Sequence, residues 1–327
     1  MLVDLHVHLR GTLARGTVLS LSKRNGAALP DATLAAPYYG WHDFPSFLAA
    51  YDLVTSVVRT AKDLEEVALS YLEACAAVGG AYVELMLSPP DLARTGVPFP
   101  EQLRALEAAA ERAAEEWGIH CRLIATAVRH LGPAAAIQAA RMAVSIKSDL
   151  LVGFGLTGDE KRHSAREFAE AFSIARSEGL RATAHAGEHL PADTILEAVE
   201  ALGLDRVGHG VRAAESSRVL RQLAVAQIPL EVSITSNIAL GLYPSIEAHP
   251  IGQLAAGGCT IVLGTDDPGF FDTDLAREYD LAASSTPSLS RELISAAAID
   301  AAFCDAETKA LLMSRLRDAG ARNAAEP

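Results

Sequence analysis

His6 and His8 stand one residue apart in the run Val3-Asp4-Leu5-His6-Val7-His8-Leu9, which is short and apolar on both sides. Such a run is expected as a buried β-strand, and side chains at i and i+2 of a strand leave the same face. Two imidazoles so placed converge on one point, as a bound metal requires. His-x-His pairs also arise by chance, so the pair needs support from elsewhere in the chain. Three further short runs end in polar residues of the same kind: Ala184-His185-Ala186-Gly187-Glu188, Val207-Gly208-His209-Gly210 and Thr265-Asp266-Asp267-Pro268. Three histidines with one aspartate form a mixed N/O set that suits zinc and can leave a position for water. A water on such an ion loses its proton at about pH 7 instead of about 15.7. The chemistry expected is therefore hydrolysis. Glu188, three residues past His185, is suited to shuttle a proton, and His209 could accept one or hold the hydroxide. Adjacent side chains diverge, so one of Asp266 and Asp267 can bind metal while the other faces a substrate. Read singly, His209 would be an ordinary buried histidine and Asp266-Asp267-Pro268 a helix N-cap and turn. Their joint placement argues against both.

These residues must be carried by elements that bring their ends together. Short apolar runs, expected as strands, fall at Leu2–His8, Ala81–Leu87, Cys121–Ala127, Leu151–Leu156, Arg181–His185, Arg206–Gly208, Pro229–Val232 and Thr260–Gly264. Between them lie Ala-rich segments of helical period, including Leu64–Val78, Glu101–Trp117, Gly132–Ser145, Ser164–Glu178 and Ala192–Leu202. Strands alternating with helices imply parallel βαβ units. Eight of them in 327 residues imply an α/β fold closed as a (β/α)8 TIM barrel. In that fold chemistry gathers at the C-terminal strand ends, where every residue singled out above stands. An open doubly wound sheet fits less well, because no Gly-x-Gly-x-x-Gly follows the first strand. No linker-like or low-complexity tract interrupts the chain, so residues 1–327 read as one domain. The stretch 12–62 is a helical insertion after the first strand, in which Phe44, Phe47 and Tyr51 fall at i, i+3 and i+7, one helix face. That face is expected either in core packing or as an apolar lid over the barrel mouth. Residues 318–327 read as a frayed polar tail.

Bulk properties exclude several function classes. With 28 basic and 41 acidic residues the net charge is −13, which repels phosphate backbones and anionic membranes. A nucleic acid polymer is not expected as a partner, whereas a small nucleotide-like ligand in a pocket is not opposed. Cys75, Cys121, Cys259 and Cys304 are far apart in sequence and read as reduced thiols of a cytoplasmic protein. No apolar run reaches the roughly 18 residues that span a bilayer, and no secretory leader is expected at the N-terminus.

Taken together, His6-Val7-His8, His185-Ala186-Gly187-Glu188, Val207-Gly208-His209-Gly210, Thr235-Ser236-Asn237 and Thr265-Asp266-Asp267-Pro268 resemble, in order, the motifs of the adenosine deaminase family of metal-dependent hydrolases. The resemblance spans nearly the whole chain. It implies that His6, His8, His185 and Asp266 bind one zinc ion per chain. A two-metal site would usually place a lysine at the end of strand four, and Leu151–Leu156 has none. It also implies that Glu188 protonates the ring nitrogen beside the reacting carbon of a 6-aminopurine while hydroxide on the metal attacks C6, with His209 orienting the hydroxide. Asp267 would bond the five-membered ring, the backbone of Gly158 the other ring edge, and Phe44, Phe47 and Tyr51 would form the lid. The implied activity is hydrolytic deamination of adenosine or a related 6-aminopurine, with release of ammonia. A His-x-Glu with Pro-Cys-x-x-Cys, the other zinc deaminase signature, is absent.

The chain departs from the family pattern at Arg10, where nucleoside deaminases carry an acidic residue that meets the ribose 5′-hydroxyl. A guanidinium prefers carboxylate or phosphate. Arg10 thus suggests a substrate with a 5′-anionic group, or one without an unmodified ribose, unless it pairs locally. Gly155 and Met86 stand where relatives often have Asp and Arg. The alternatives are a 5′-anionic nucleoside, free adenine or an N6-substituted adenine; a metal-dependent ester or lactam hydrolase; and a ligand-binding protein that has lost catalysis. Of the other histidines, His42, His120, His163, His189 and His249 read as surface or packing residues, and His130 has the best remaining claim to the site.

Overall fold

The computed structural model describes residues 1–89, 92 and 95–325. Its strands are β1 (Leu2–His8), β2 (Gly80–Leu87), β3 (His120–Val128), β4 (Leu151–Thr157), β5 (Arg181–Ala186), β6 (Arg206–His209), β7 (Leu230–Val232) and β8 (Ile261–Leu263). Each matches its expected run to within one residue at either end. They pair in parallel in chain order from β1 to β8. The sheet then closes on itself, because Val7 bridges Asp266 just beyond β8. The His8 N–H donates to the Asp266 carbonyl and the Asp266 N–H to the His6 carbonyl, each at 2.8 Å. The seam of this TIM barrel is therefore made by the segments that carry His6, His8, Asp266 and Asp267.

Strands covered by helices outside and packed by side chains inside are apolar on both faces, which is why β1 is buried along nearly all of its length. The helices that follow carry their own boundaries. Ala61–Ala77 opens on a capping box of Thr60 and Asp63, and Phe99–Trp117 and Asp193–Leu202 end at left-handed Gly118 and Gly203, as helix caps favour. The segment expected as one helix over Ser164–Glu178 is a short 3-10 turn, Ala165–Phe168, leading into a helix over Ala169–Ser177.

The insertion after β1 is helical, with a 3-10 turn at Leu9–Thr12 and helices at Arg15–Asn25, Asp31–Ala35 and Phe44–Thr55. Asp43 starts the last of these by accepting the Ser46 N–H in a second capping box. The expectation of a frayed tail is corrected: the final helix runs Ala306–Ala325. Leu312 and Leu316 anchor it against Val3, Ala298 and Ile299 beneath the barrel, and the Ala- and Arg-rich sequence that follows favours continued helix. Residues 326–327 lie outside the described residues. Among the described residues no helix is long and apolar enough to cross a membrane.

Candidate active site

β1 delivers His6 and His8 to the barrel mouth with ring centroids 5.3 Å apart. β5 brings His185 to 4.9 Å from His6 and 5.4 Å from His8. One donor atom from each of the three lies within 4.8 Å of the others. Asp266, delivered by the seam, places Oδ1 3.0 Å from His8 Nε2 and 3.7 Å from His6 Nε2. Its Oδ2 accepts the Ser236 hydroxyl at 2.6 Å.

The layer below sets His6. Arg206, buried against the Phe303 ring, donates to Glu84 at 2.6 Å and to Glu231 at 2.5 Å. Against burial, Arg206 keeps the Glu231 carboxyl down at about 2, so Glu231 accepts a proton-bearing His6 Nδ1 at 2.6 Å. His6 Nε2 then carries a lone pair aimed at the cluster, the outer support typical of a metal-binding histidine. Asp4 accepts the His6 N–H at 3.1 Å and is itself held by Tyr71 and Thr265. Among the described residues the buried Nε2 atoms of His6 and His185 have no hydrogen-bond partner. Orphaned imidazole nitrogens beside one carboxylate are the donor set that zinc takes, so the residues present fit the ion the sequence implies.

Two backbone features make this convergence possible. A Cβ on Gly208 would stand 3.0 Å from both His185 Cδ2 and His6 Cε1, so glycine lets β6 pass behind the two rings without displacing them. His209 and Asp266 both adopt left-handed backbone, φ 60° and 62°. Such conformations cost on the order of 1 kcal/mol or more in a non-glycine residue and concentrate at functional sites.

Around the cluster stand the proton-handling groups. Glu188 Oε2 lies 3.8 Å from His209 Nε2, 3.6 Å from His189 Nε2 and 4.0 Å from His185 Nδ1. Burial, then the charges of Asp266, Glu160 and Asp267, hold its carboxyl well above the usual range, which favours its protonated form. Burial pulls His209 down to about 3, leaving it neutral. Asp267 occupies the N-cap position of the turn Pro268–Phe271, yet its side chain makes no capping bond, and its Oδ1 has no partner. Burial pushes it up to about 8, with His8 opposing and Asp266 reinforcing. Glu188 and Asp267 are thus two buried carboxyls pushed towards their protonated forms, and the Asp266 and Asp267 side chains do not diverge as expected, since one oxygen of each lies within 4.8 Å of the other and of a His8 ring nitrogen.

A cavity of about 130 Å³ opens onto these groups, walled by Phe44, Phe47, Leu48 and Tyr51 on one side and Val128 and Gly158 on the other. Gly158 has φ 88°, and a Cβ there would meet His130 Nδ1 at 3.0 Å. The loop after β4 can therefore bring its backbone to the cavity wall in this conformation only as glycine. Phe44, Phe47 and Tyr51 do share a helix face. Phe47 also stacks on Phe271 at 5.2 Å and Tyr51 packs on Phe270 at 5.2 Å, so the face packs against the fold and walls the cavity at once. Arg10 lines the cavity. Its guanidinium donates to Thr55 Oγ1 at 2.9 Å and lies 5.4 Å over the Tyr51 ring, the local pairing that competes with an anion-binding role. His130 lines the cavity too.

The sequence reading missed several residues that hold the site. Glu160, 2% exposed, accepts four backbone N–H groups: Gly187 at 2.6 Å, Glu188 at 3.1 Å, His189 at 2.6 Å and Leu190 at 3.0 Å. Buried Arg129 donates to the His185 carbonyl at 2.8 Å. His189 and His249, read as surface or packing, are both in the site's surroundings. His189 touches Phe44 at 4.6 Å and Glu188, while His249 bonds Asn237, which bonds His209. The local hints were the adjacency of His189 to Glu188 and of Arg129 to His130, and the closeness of Glu160 to Gly158; His249 had none.

The chain matches the family model described as adenosine deaminase over residues 2–319. An adenine deaminase of Chelativorans sp. is 39% identical over 96% of this chain and 97% of its own length. Another, of Mesorhizobium japonicum, is 38% identical over 97% and 98%. Among solved structures, an adenine deaminase from Arthrobacter aurescens superposes with a TM-score of 0.90 at 28% identity, covering 97% of this chain and 98% of that one. An amidohydrolase from Burkholderia ambifaria with bound Zn gives a TM-score of 0.88 at 26% identity, covering 99% and 93%.

Proposed function

The chain belongs to the adenosine deaminase family of aminohydrolases, and from that premise we propose that it is a zinc-dependent hydrolytic deaminase of free adenine in the cytoplasm. Adenosine, the first expectation, gives way to the non-adenosine alternative, because adenine deaminases match the chain along nearly their full length at 38–39% identity. The size of the cavity carries this reading. At about 130 Å³ it is on the scale of the engineered cavity of about 150 Å³ that takes a benzene ring. One flat ring system suits it, and a ribose would have to lie outside. Four separate, buried thiols support the cytoplasmic location.

His6, His8, His185 and Asp266 would hold one zinc ion, which when bound supplies a water acidic enough to lose its proton near neutral pH. The chain's own residues do the rest. Glu188 donates its proton to N1 of the purine, drawing electrons from C6. Asp267 donates to N7, and the Gly158 N–H meets N3, so three donors answer three ring acceptors. His209 orients the oxygen that attacks C6. The C6–N6 bond breaks, ammonia leaves and a 6-oxopurine remains. The helix Phe44–Thr55 closes the apolar wall as a lid and keeps bulk water from competing with these hydrogen bonds.

Ammonia release from adenine tests the reading. Glu188→Gln should lower kcat about 10³-fold, the scale of a lost general acid, with zinc content unchanged. No ammonia from the zinc-loaded protein, or near-normal turnover by Glu188→Gln, would sink it.

A further inference from the structure

We infer that Asn237 and His249 are positioning residues that fix His209 with its proton on Nε2, so that His209 donates a hydrogen bond to the attacking oxygen and does not take its proton. The catalytic consequence rests on the deaminase reading; the tautomer does not.

A backbone N–H, which cannot change its protonation, sets the orientation of the whole chain of hydrogen bonds. The N–H of Ile251, first residue of the helix Ile251–Ala256, is one of the donors a helix start leaves without an intrahelical partner. It donates to His249 Nδ1 at 3.3 Å. That nitrogen must present its lone pair, so the proton of a neutral His249 sits on Nε2. His249 Nε2 faces Asn237 Oδ1 at 3.1 Å and donates to it. With its oxygen engaged there, Asn237 turns Nδ2 towards His209 Nδ1, 3.4 Å away. An amide nitrogen offers only protons, so His209 Nδ1 accepts and carries none. The single proton of neutral His209 is left on Nε2.

His209 Nε2 is the nitrogen that faces the chemistry. It is buried, has no hydrogen-bond partner among the described residues and stands 3.8 Å from Glu188 Oε2. Protonating His209 at Nδ1 would set that proton against the amide protons of Asn237. Rotating the amide would in turn set Nδ2 against His249 Nε2–H, and reversing His249 would set its Nδ1–H against the Ile251 N–H. Every escape leaves two donors facing each other in a buried chain, where an unmatched polar group costs about 1–3 kcal/mol. His209 and Asn237 are fully buried and His249 is 6% exposed, so water is not at hand to relieve the conflict. Tyr243, edge-on to His249 at 5.1 Å, holds that ring in place. The sequence left two roles open for His209; this chain selects the one in which it holds the nucleophile, with proton exchange left to Glu188.

The zinc-loaded protein carrying ¹⁵N-labelled histidine decides the matter by two-bond ¹H–¹⁵N correlation, with His209→Gln and His249→Gln assigning the peaks. His209 and His249 should each show a protonated Nε2 and an unprotonated Nδ1 across pH 6 to 8. Asn237→Asp offers an acceptor to both rings and should move the His209 proton to Nδ1. Its kcat on adenine should fall at least about 100-fold, short of the roughly 10⁴-fold loss when a catalytic histidine is held in the wrong tautomer, with KM within about three-fold. His249→Phe should behave likewise, whereas His249→Gln, which can still donate to Asn237, should recover to within about ten-fold of wild type. A wild-type His209 protonated on Nδ1 overturns the inference, as does an Asn237→Asp variant with unchanged tautomer and kcat. If adenine is not the substrate, the spectra stand and only the ammonia assay fails.

Discussion

Replacing Glu160 by Gln isolates the contribution of the turn that carries Glu188. In the native protein Oε1 accepts the Gly187 N–H and Oε2 accepts those of Glu188, His189 and Leu190, at distances from 2.6 to 3.1 Å. Glutamine matches the shape but offers only one oxygen. If that oxygen faces the three-donor side, the amide NH₂ faces the Gly187 N–H and leaves it unsatisfied, a cost of about 1–3 kcal/mol. The other three bonds lose their charge assistance, roughly 1 kcal/mol each. Relief of a buried charge offsets part of this, so a net loss of about 4 kcal/mol is expected. A domain stable by about 5–15 kcal/mol remains folded, but the turn relaxes and Glu188 shifts. A displacement of about 1 Å in a catalytic group costs on the order of 100-fold in rate. Removing the negative charge beside Glu188 also weakens its hold on its proton, since Glu160 is among the charges that raise it. Urea unfolding and steady-state ammonia release measure the two effects separately. If Glu160→Gln unfolds within about 0.5 kcal/mol of wild type and keeps kcat within two-fold, the carboxylate does not hold the turn.

Two other outcomes follow from the geometry. Burial holds His249 down at about 4, against its ordinary 6.5. Above pH 6.5 both states are neutral and nothing is lost. As pH falls towards 4 the unfolded chain binds a proton that the folded chain refuses, so stability drops. Urea unfolding at pH 7 and pH 4.5 should differ by about 2 kcal/mol less in His249→Phe than in wild type, and an identical difference would show that His249 is not the group responsible. Gly208→Ala, whose Cβ would press on His185 and His6 at 3.0 Å, should weaken zinc binding at least about ten-fold in a chelator competition, and unchanged affinity would mean that the close approach is not needed.

The sequence disclosed most of the frame because strand periodicity and local Gly breaks are short-range signals. All eight strands could be placed, and with them the strand ends that gather His6, His8, His185, Asp266, Glu188 and His209. The groups that orient those residues could not, because each acts across the fold. Glu231 reaches His6 over 225 positions, and Arg129 reaches the carbonyl of His185 over 56. His249 looked like packing because nothing beside it in sequence reports that its partner is Asn237. The left-handed backbone of His209 and Asp266 was equally invisible, since neither residue type demands it. Arg10 stood out in the sequence by its charge, but its contact with Thr55 depends on how the insertion folds back over β1. The terminal helix was missed because its polar surface hides the anchoring of Leu312 and Leu316.

The central claim is that strand-end ligands and three purine-edge donors serve a free base in a small cavity. The ratio of kcat/KM for adenine to that for adenosine, measured on one zinc-loaded preparation by ammonia release, tests it most directly. A cavity that seats the rings and excludes the sugar predicts a ratio of at least about 100 in favour of adenine. An equal or greater kcat/KM for adenosine, or for its 5′-phosphate, would contradict it.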